Sequence, residues 1–211
     1  TYTTIRFGDF MNKISHIMVV SFIVNLVLSC TKFISGIIFS SSALVADGIH
    51  SFSDLLTDVV SIIGSLFINK KNAYKVEYIT SLFVGVIIFI LGVSLLFKMD
   101  GHSISTNSEV IFVSIFAVIT KILLARYLIL SAKKYNNSIL KANGIESSAD
   151  VISSILVLIS GICVKLSEKY QVLRYADRTA SILVGLFIVI TGLILIKNNL
   201  LEIVFKKEKN I

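Results

Sequence analysis

Residues 46–54 read ADGIHSFSD, and residues 142–150 read ANGIESSAD. Five of the nine positions are identical in the two stretches, and an aspartate in the first corresponds to an asparagine in the second. Each stretch lies in an apolar segment long enough to cross a bilayer, which takes about 20 residues per helix. The match therefore indicates an internal repeat that puts polar and acidic side chains at equivalent places in two membrane helices.

The composition excludes a soluble protein. Of the 211 residues, 55% are hydrophobic and only 16% are charged, whereas a soluble domain carries roughly 25% charged residues. The formal net charge of +7 does not indicate a nucleic-acid partner, because the basic residues lie between apolar runs. Cys30 and Cys163 both lie in apolar stretches, which excludes a disulfide framework or a cysteine-based metal site. We expect an integral, multi-pass membrane protein, in the plasma membrane if the chain is bacterial.

Six apolar stretches are long enough to be spans, so we predict an all-α bundle of six transmembrane helices that forms one domain over residues 1–211. The predicted helices cover residues 14–39, 41–67, 77–97, 108–131, 139–166 and 178–196. Thirteen Lys and Arg residues fall on one side of this arrangement and five on the other. Since short cytoplasmic segments carry the excess of basic residues, both termini are predicted to face the cytoplasm.

The repeat extends more faintly to the third helix of each half. Val84-Gly85 and Gly92 correspond to Val184-Gly185 and Gly192. A unit with an odd number of spans, used twice, gives two halves of opposite topology, which is a recurrent arrangement in transporters. We therefore predict a 3+3 inverted repeat with a site near the middle of the membrane.

Five of the thirteen acids lie inside the predicted spans, away from the first and last residues: Asp47, Asp54, Asp58, Glu146 and Asp150. Each acid at a helix centre costs about 2.5–3.5 kcal/mol. One interpretation is that these acids are counter-ions of Lys32 and Lys121, but two bases neutralise only two of the five. For Lys121, snorkelling toward the interface is the simpler interpretation.

The spacing of the acids favours a metal site. His50 and Asp54 are four residues apart, as are Glu146 and Asp150, so each pair projects from one helical face. Both pairs lie near the middle of a bilayer core about 30 Å thick. One imidazole and three carboxylates at a common point suit a divalent first-row cation, which would be substrate rather than prosthetic group.

Other polar residues allow two interpretations each. Asp58 continues the His50 stripe toward the cytoplasm, and it either lines the access path of the ion or packs between helices. Asp47 and Asn143 occupy matching repeat positions. They either orient the metal ligands or form interhelical hydrogen bonds, and the second interpretation is slightly favoured. Asn25 is predicted to make an interhelical contact rather than to bind metal.

The run from Ser42 to Asp54 resembles the second-helix signature of the cation diffusion facilitator family, whose His-x-x-x-Asp is here His50 and Asp54. Residues 140–154 are similar to the fifth-helix signature, and residues 74–78 (YKVEY) resemble the start of the third helix. The resemblance covers essentially all six spans. It implies an antiporter that exports zinc, manganese, iron or cobalt from the cytosol in exchange for protons, usually as a homodimer.

The chain departs from the family pattern in three places. Zinc-transporting members usually have histidine at the position of Glu146, and a carboxylate there favours manganese or iron relative to zinc. Residues 69–73, where the family often has a further metal site, contain neither histidine nor acid. Most members continue into a cytoplasmic dimerisation domain. Because the chain runs from Thr1 to Ile211 without that domain, we expect an excised membrane domain.

The sequence bears on two other classes of function. An enzyme is not expected, because the chain has neither a His-Glu-x-x-His nor a Gly-x-Ser-x-Gly motif. A metal sensor or scaffold that keeps the fold without transporting is the alternative to an efflux transporter. Glu146 favours this alternative, because it replaces the histidine ligand that zinc-transporting members usually have at this position.

Overall fold

The structure is a computed structural model that describes residues 2–66, 73–98, 108–167 and 169–208. Within these ranges all regular secondary structure is helical, and there is no strand. The elements are α1 (Tyr2–Ile38), α2 (Ser42–Leu66), α3 (Ala73–Lys98), α4 (Ser108–Tyr135), α5 (Ser138–Leu166), a short 3-10 helix (Gln171–Tyr175) and α6 (Ala176–Glu208). The predicted all-α class is therefore confirmed for the described part of the chain.

Five of these helices have the length and apolarity of membrane spans. The spans are Lys13–Ile38, Ile79–Phe97, Ser108–Tyr135, Ile139–Leu166 and Gln171–Leu201. In the described part of the chain, α2 is the helix outside this set, and it carries Asp47, Asp54 and Asp58 along its length. Many large apolar side chains on the spans are exposed at the surface of the bundle, as lipid contact requires. The chain is an integral, multi-pass membrane protein.

Two helices extend more than ten residues beyond the predicted spans. Helix α1 begins at Tyr2 rather than at residue 14, and α6 ends at Glu208 rather than at residue 196. The apolar length of a segment reports only the part that crosses the hydrocarbon core. A helix that continues through polar residues into the interface is therefore underestimated by that measure.

The α1–α2 and α4–α5 connections have the same backbone geometry. Ser40 and Asn136 adopt positive φ values of 53° and 46°. In each connection the next residue donates its N–H to the carbonyl five positions earlier, at 2.9 and 3.1 Å. This is the bonding of a helix that ends on a left-handed residue. The two positions are separated by 96 residues, the same offset that relates residue 46 to residue 142.

The starts of α2 and α5 are capped in the same way. The Ser41 hydroxyl accepts the N–H of Leu44 at 3.2 Å, and the Asn137 amide oxygen accepts the N–H of Leu140 at 2.9 Å. Both side chains act as N-caps, which satisfy one of the free N–H groups of a first helical turn. The two helices that carry the repeated motif thus begin at equivalent positions.

The helices pack mainly in three pairs. The most extensive contacts join α3 to α6, α4 to α5, and α1 to α2. A Cβ atom at Gly92 would lie 2.9 Å from the backbone nitrogen of Val189, and one at Gly192 would lie 2.7 Å from that of Phe89. These glycines let the backbones of α3 and α6 approach closely, as small residues do in membrane helices.

Apolar side chains fill the bundle on both sides of a polar layer. At the end where α1 and α5 begin, one cluster comprises Ile14, Ile17, Leu124, Leu128, Ala132 and Leu140. At the opposite end, where α2 and α6 begin, a second cluster comprises Ala43, Leu44, Val110, Val157 and Ala180. The polar side chains of α2 and α5 lie between these two clusters.

Candidate metal site

Three of the predicted ligands come together at the α2–α5 contact. Donor atoms of His50, Asp54 and Asp150 all lie within 4.8 Å of one another. The Nε2 atom of His50 is 3.9 Å from Asp54 Oδ2 and 3.6 Å from Asp150 Oδ1. These separations are too long for direct hydrogen bonds. Tetrahedral ligands at about 2.0–2.2 Å from an ion lie about 3.3–3.6 Å apart. The His50–Asp150 separation matches this spacing and the His50–Asp54 separation is slightly longer, so a small inward movement of the side chains would let the three hold one cation.

The site is held in the bundle interior. His50 and Asp150 are buried, and the Asp54 side chain is 20% exposed. The ring of Phe187, on α6, meets the imidazole edge-on with the ring centroids 5.1 Å apart. A carboxylate pair and an imidazole shielded in this way attract a divalent cation more strongly than the same groups in water.

The fourth predicted ligand lies in the same cleft but outside the three-residue group. The Glu146 side chain is exposed and stands one helical turn before Asp150 on α5. The cleft is lined by Ser21, Asn25, Asp54, Asn143, Glu146, Ser147 and Asp150. It extends from Asp54 and Asp150 toward the end of the bundle at which α1 and α5 begin.

A buried lysine from α4 joins the site, whereas the sequence favoured snorkelling of this lysine over pairing with an acid. Lys121 is 1% exposed, and its Nζ donates to Asp150 Oδ2 at 2.5 Å and to Asn25 Oδ1 at 2.9 Å. The snorkelling interpretation of this lysine is therefore wrong, because a carboxylate inside the bundle holds the ammonium. The predicted interhelical contact of Asn25 is confirmed. The position of Lys121 in the middle of a span indicated that it could be paired with an acid. Spacing along α4 does not show which neighbouring helix supplies that acid.

A second buried ion pair lies beside the site. Lys32 Nζ is 2.7 Å from Asp47 Oδ2, and these side chains are 0% and 1% exposed. Asp47 also accepts hydrogen bonds from the hydroxyls of Ser153 and Ser154 on α5, and Lys32 donates to Ser51 and Ser154. The contacts of Asp47 join α2 to α1 and α5, so they are the interhelical bonds that the sequence favoured.

The remaining predicted residues contribute less to the described geometry. Asn143 is half-buried and lines the cleft. Asp58 lies in α2, one turn after Asp54, and its side chain is outside the described residues. Residues 67–72, which include most of the 69–73 segment named in the sequence, are also outside them. The two acids most deeply buried among the described side chains, Asp47 and Asp150, are both paired with lysines.

Comparison with known proteins gives a family match and several relatives. The cation efflux transmembrane domain matches residues 18–204. An uncharacterised transporter of Methanocaldococcus jannaschii is 30% identical over 190 residues, covering 84% of this chain and 65% of that protein. The manganese efflux system protein MneP of Bacillus subtilis is 27% identical over 187 residues, covering 82% and 62%. The magnetosome protein MamB of Magnetospira sp. is 26% identical over 185 residues, covering 82% and 61%.

The chain spans somewhat under two thirds of the length of these relatives. The family match extends from the middle of α1 to the last turns of α6 and so includes the whole candidate site. Since that match covers most of the sequence, the chain belongs to the cation efflux family, the cation diffusion facilitators, whose members are membrane transporters.

Proposed function

We propose that the chain exports a divalent transition-metal cation in exchange for protons, through the site formed by His50, Asp54, Glu146 and Asp150. The observation that supports this most directly is the approach of an imidazole and two carboxylates to within 4.8 Å inside a membrane bundle. Burying ionisable groups in a membrane is costly, and such groups usually mark the path of an ion. The cation is the cargo of the protein and not a resident cofactor.

Glu146 is proposed as the fourth ligand. It precedes Asp150 by one turn and lines the same cleft, so rotation of its side chain brings the carboxylate toward the other donors. With Glu146 the ligand set is rich in carboxylates, which suit manganese better than zinc. Two relatives are named manganese efflux system proteins. Manganese is accordingly the proposed cargo, with iron, cobalt and zinc as the other ions of the class.

The cleft supports an orientation in which the site is open to the cytoplasm. It runs toward the end at which α1 and α5 begin, and the excess of basic residues assigns that end to the cytoplasmic side. On the other side of the site, the buried pair of Lys32 and Asp47 closes the space between the helices. We interpret this arrangement as an inward-facing state.

The matching turns support the inverted repeat that alternating access requires. Ser40 and Asn136 have the same backbone conformation at equivalent positions, and the two following helices are capped alike. In transporters built from inverted repeats, one half rocks against the other around a fixed site. Protons and metal compete for the same carboxylate and imidazole atoms, which supplies a physical basis for proton exchange. Assembly as a homodimer is proposed from the family resemblance.

The test is metal flux in proteoliposomes with an imposed pH gradient. Asp54→Ala and Asp150→Ala are expected to abolish Mn²⁺ flux, whereas Glu109→Ala, which changes an exposed acid at the start of α4, is expected to leave it unchanged. Normal flux in both site variants would refute the site. Wild-type flux that does not respond to the pH gradient would refute the proton coupling.

A sensor or scaffold that binds metal without transporting it is the second candidate. The observation in its favour is that Glu146 lies outside the three-residue group and that Lys121 holds one of the three members. Saturable Mn²⁺ binding by the purified protein, together with no flux under any gradient, would favour this candidate over transport.

A further inference from the structure

Lys121 is the buried cation that contacts a proposed metal ligand. Its ammonium lies 2.5 Å from Asp150 Oδ2, while the other oxygen of that carboxylate faces His50 at 3.6 Å. We propose that Lys121 is a fixed counter-ion of the metal site, which confines Asp150 to one oxygen for the metal and weakens binding enough for the ion to leave. This inference rests on the proposed function.

The charges of the site support this role. With His50 neutral, Asp54, Glu146 and Asp150 contribute three negative charges, and Lys121 contributes one positive charge. A single divalent cation then makes the loaded site neutral overall. Without the lysine the loaded site would keep a negative charge, which strengthens its hold on the cation because opposite charges attract strongly in a low-dielectric interior.

The geometry of Asp150 supports the same role. A carboxylate with both oxygens available can bind a metal through two atoms, but here one oxygen accepts from the ammonium. Asn25 accepts a second hydrogen bond from Lys121 and so holds the ammonium in place on the cleft side. The lysine therefore sets both the denticity of Asp150 and the electrostatic field that the arriving ion meets.

The other buried lysine is a matched comparison. Lys32 is as deeply buried as Lys121 and is also paired with an aspartate, but neither Lys32 nor Asp47 belongs to the three-residue group. The double variant Lys32→Met/Asp47→Leu removes a neutral ion pair from α1 and α2. It leaves the net charge of the bundle unchanged and so controls for the loss of a buried lysine.

The experiment measures the Mn²⁺ dissociation constant by titration calorimetry, and the KM and kcat of Mn²⁺ flux in proteoliposomes. Lys121→Gln keeps an amide donor beside Asp150 but removes the charge, and it is expected to tighten Mn²⁺ binding about tenfold or more, because the positive charge that repels the arriving ion at short range is lost. Its KM and kcat are both expected to fall, because the ion is released more slowly. Lys32→Met/Asp47→Leu is expected to change the dissociation constant less than about twofold, because the opposite charges of Lys32 and Asp47 largely cancel at the site.

A charge-preserving variant gives the opposite prediction. The guanidinium of Lys121→Arg matches both oxygens of a carboxylate, so this variant is expected to raise KM severalfold. If the ion pair were purely structural, arginine would replace the lysine without changing KM. If Lys121→Gln does not fold, the arginine variant alone decides between the two roles.

The outcomes separate this inference from the proposed function. A wild-type protein that binds none of Mn²⁺, Fe²⁺, Co²⁺ and Zn²⁺ would refute the metal site itself. Wild-type binding with equal or weaker affinity in Lys121→Gln, or an unchanged KM in Lys121→Arg, would leave the metal site standing and overturn the role of Lys121.

Discussion

Removing the buried lysine of α1 is expected to destabilise the protein strongly. Lys32 is fully buried and its Nζ lies 2.7 Å from Asp47 Oδ2. In Lys32→Met, Asp47 keeps the hydrogen bonds from the hydroxyls of Ser153 and Ser154 but loses its counter-ion. The carboxylate then remains buried with only neutral partners.

The size of the effect follows from the pair geometry. At 2.7 Å and an effective dielectric constant of about 20, the attraction between unit charges is about 6 kcal/mol. Breaking a buried pair by removing one partner costs about 3–5 kcal/mol. Because two serines still solvate Asp47, the lower end of that range, about 3 kcal/mol, is expected. The double variant Lys32→Met/Asp47→Leu removes both charges and is expected to be nearly as stable as the wild type.

The assay is thermal unfolding of the detergent-solubilised protein. A loss of about 3 kcal/mol corresponds to a Tm about 6–12 °C lower in a chain of this size, and the double variant is expected to recover most of that shift. Single and double variants with equal Tm losses would refute the energetic coupling of Lys32 to Asp47. Loss of Mn²⁺ binding in the folded double variant would show instead that Asp47 supports the metal ligands.

Three further predictions concern the site, the turns and the α3–α6 contact. Glu146→His is expected to raise zinc flux relative to manganese flux by about tenfold, because zinc binds an imidazole ligand more favourably than a carboxylate ligand. Ser40→Gly is expected to raise the free energy of unfolding by about 1 kcal/mol, since glycine adopts positive φ without strain, and Asn136→Gly by less, because asparagine tolerates that region. Gly192→Val is expected to cost about 1–3 kcal/mol because its Cβ would lie 2.7 Å from a backbone nitrogen of α3.

Each of these predictions has a result that contradicts it. An unchanged zinc-to-manganese flux ratio in Glu146→His would mean that Glu146 does not determine which metal is transported. A lower Tm for Ser40→Gly would show that the left-handed turn is not strained. Gly161 is the control for the packing prediction, because a Cβ there meets side chains only at 3.5 Å. Equal Tm losses for Gly161→Val and Gly192→Val would mean that close backbone approach is not what Gly192 provides.

The sequence predicted the helical class and the faces of α2 and α5 because both depend on spacing along one helix. A four-residue interval places His50 and Asp54 on one face wherever the helix lies, and the repeat points to Asp150 on the partner helix. The structure brings these three side chains together. Glu146 shares the face of Asp150, but burial varies along a helix face, and its side chain lies nearer the open end of the cleft.

Contacts between helices were harder to predict. The counter-ion interpretation named both lysines but did not say which acid each lysine meets. Spacing along one helix gives no information about which residue of another helix lies opposite, such as α5 opposite α4. Lys121 meets Asp150, and Lys32 meets Asp47. The choice depends on how each helix is rotated about its own axis, which packing against all its neighbours determines together.

The counter-ion and metal-site interpretations of the intramembrane acids are compatible, because they apply to different layers of the bundle. Asp47 is neutralised by Lys32 within a closed network of serines, so it has little reason to attract a metal. Asp150 is neutralised through one oxygen only, and its other oxygen faces His50. A site of carboxylates alone would be costly to bury before its ion arrives. A lysine on one oxygen lowers that cost and still leaves an oxygen for the ion, so the same contact that stabilises the fold also limits how tightly the metal is held.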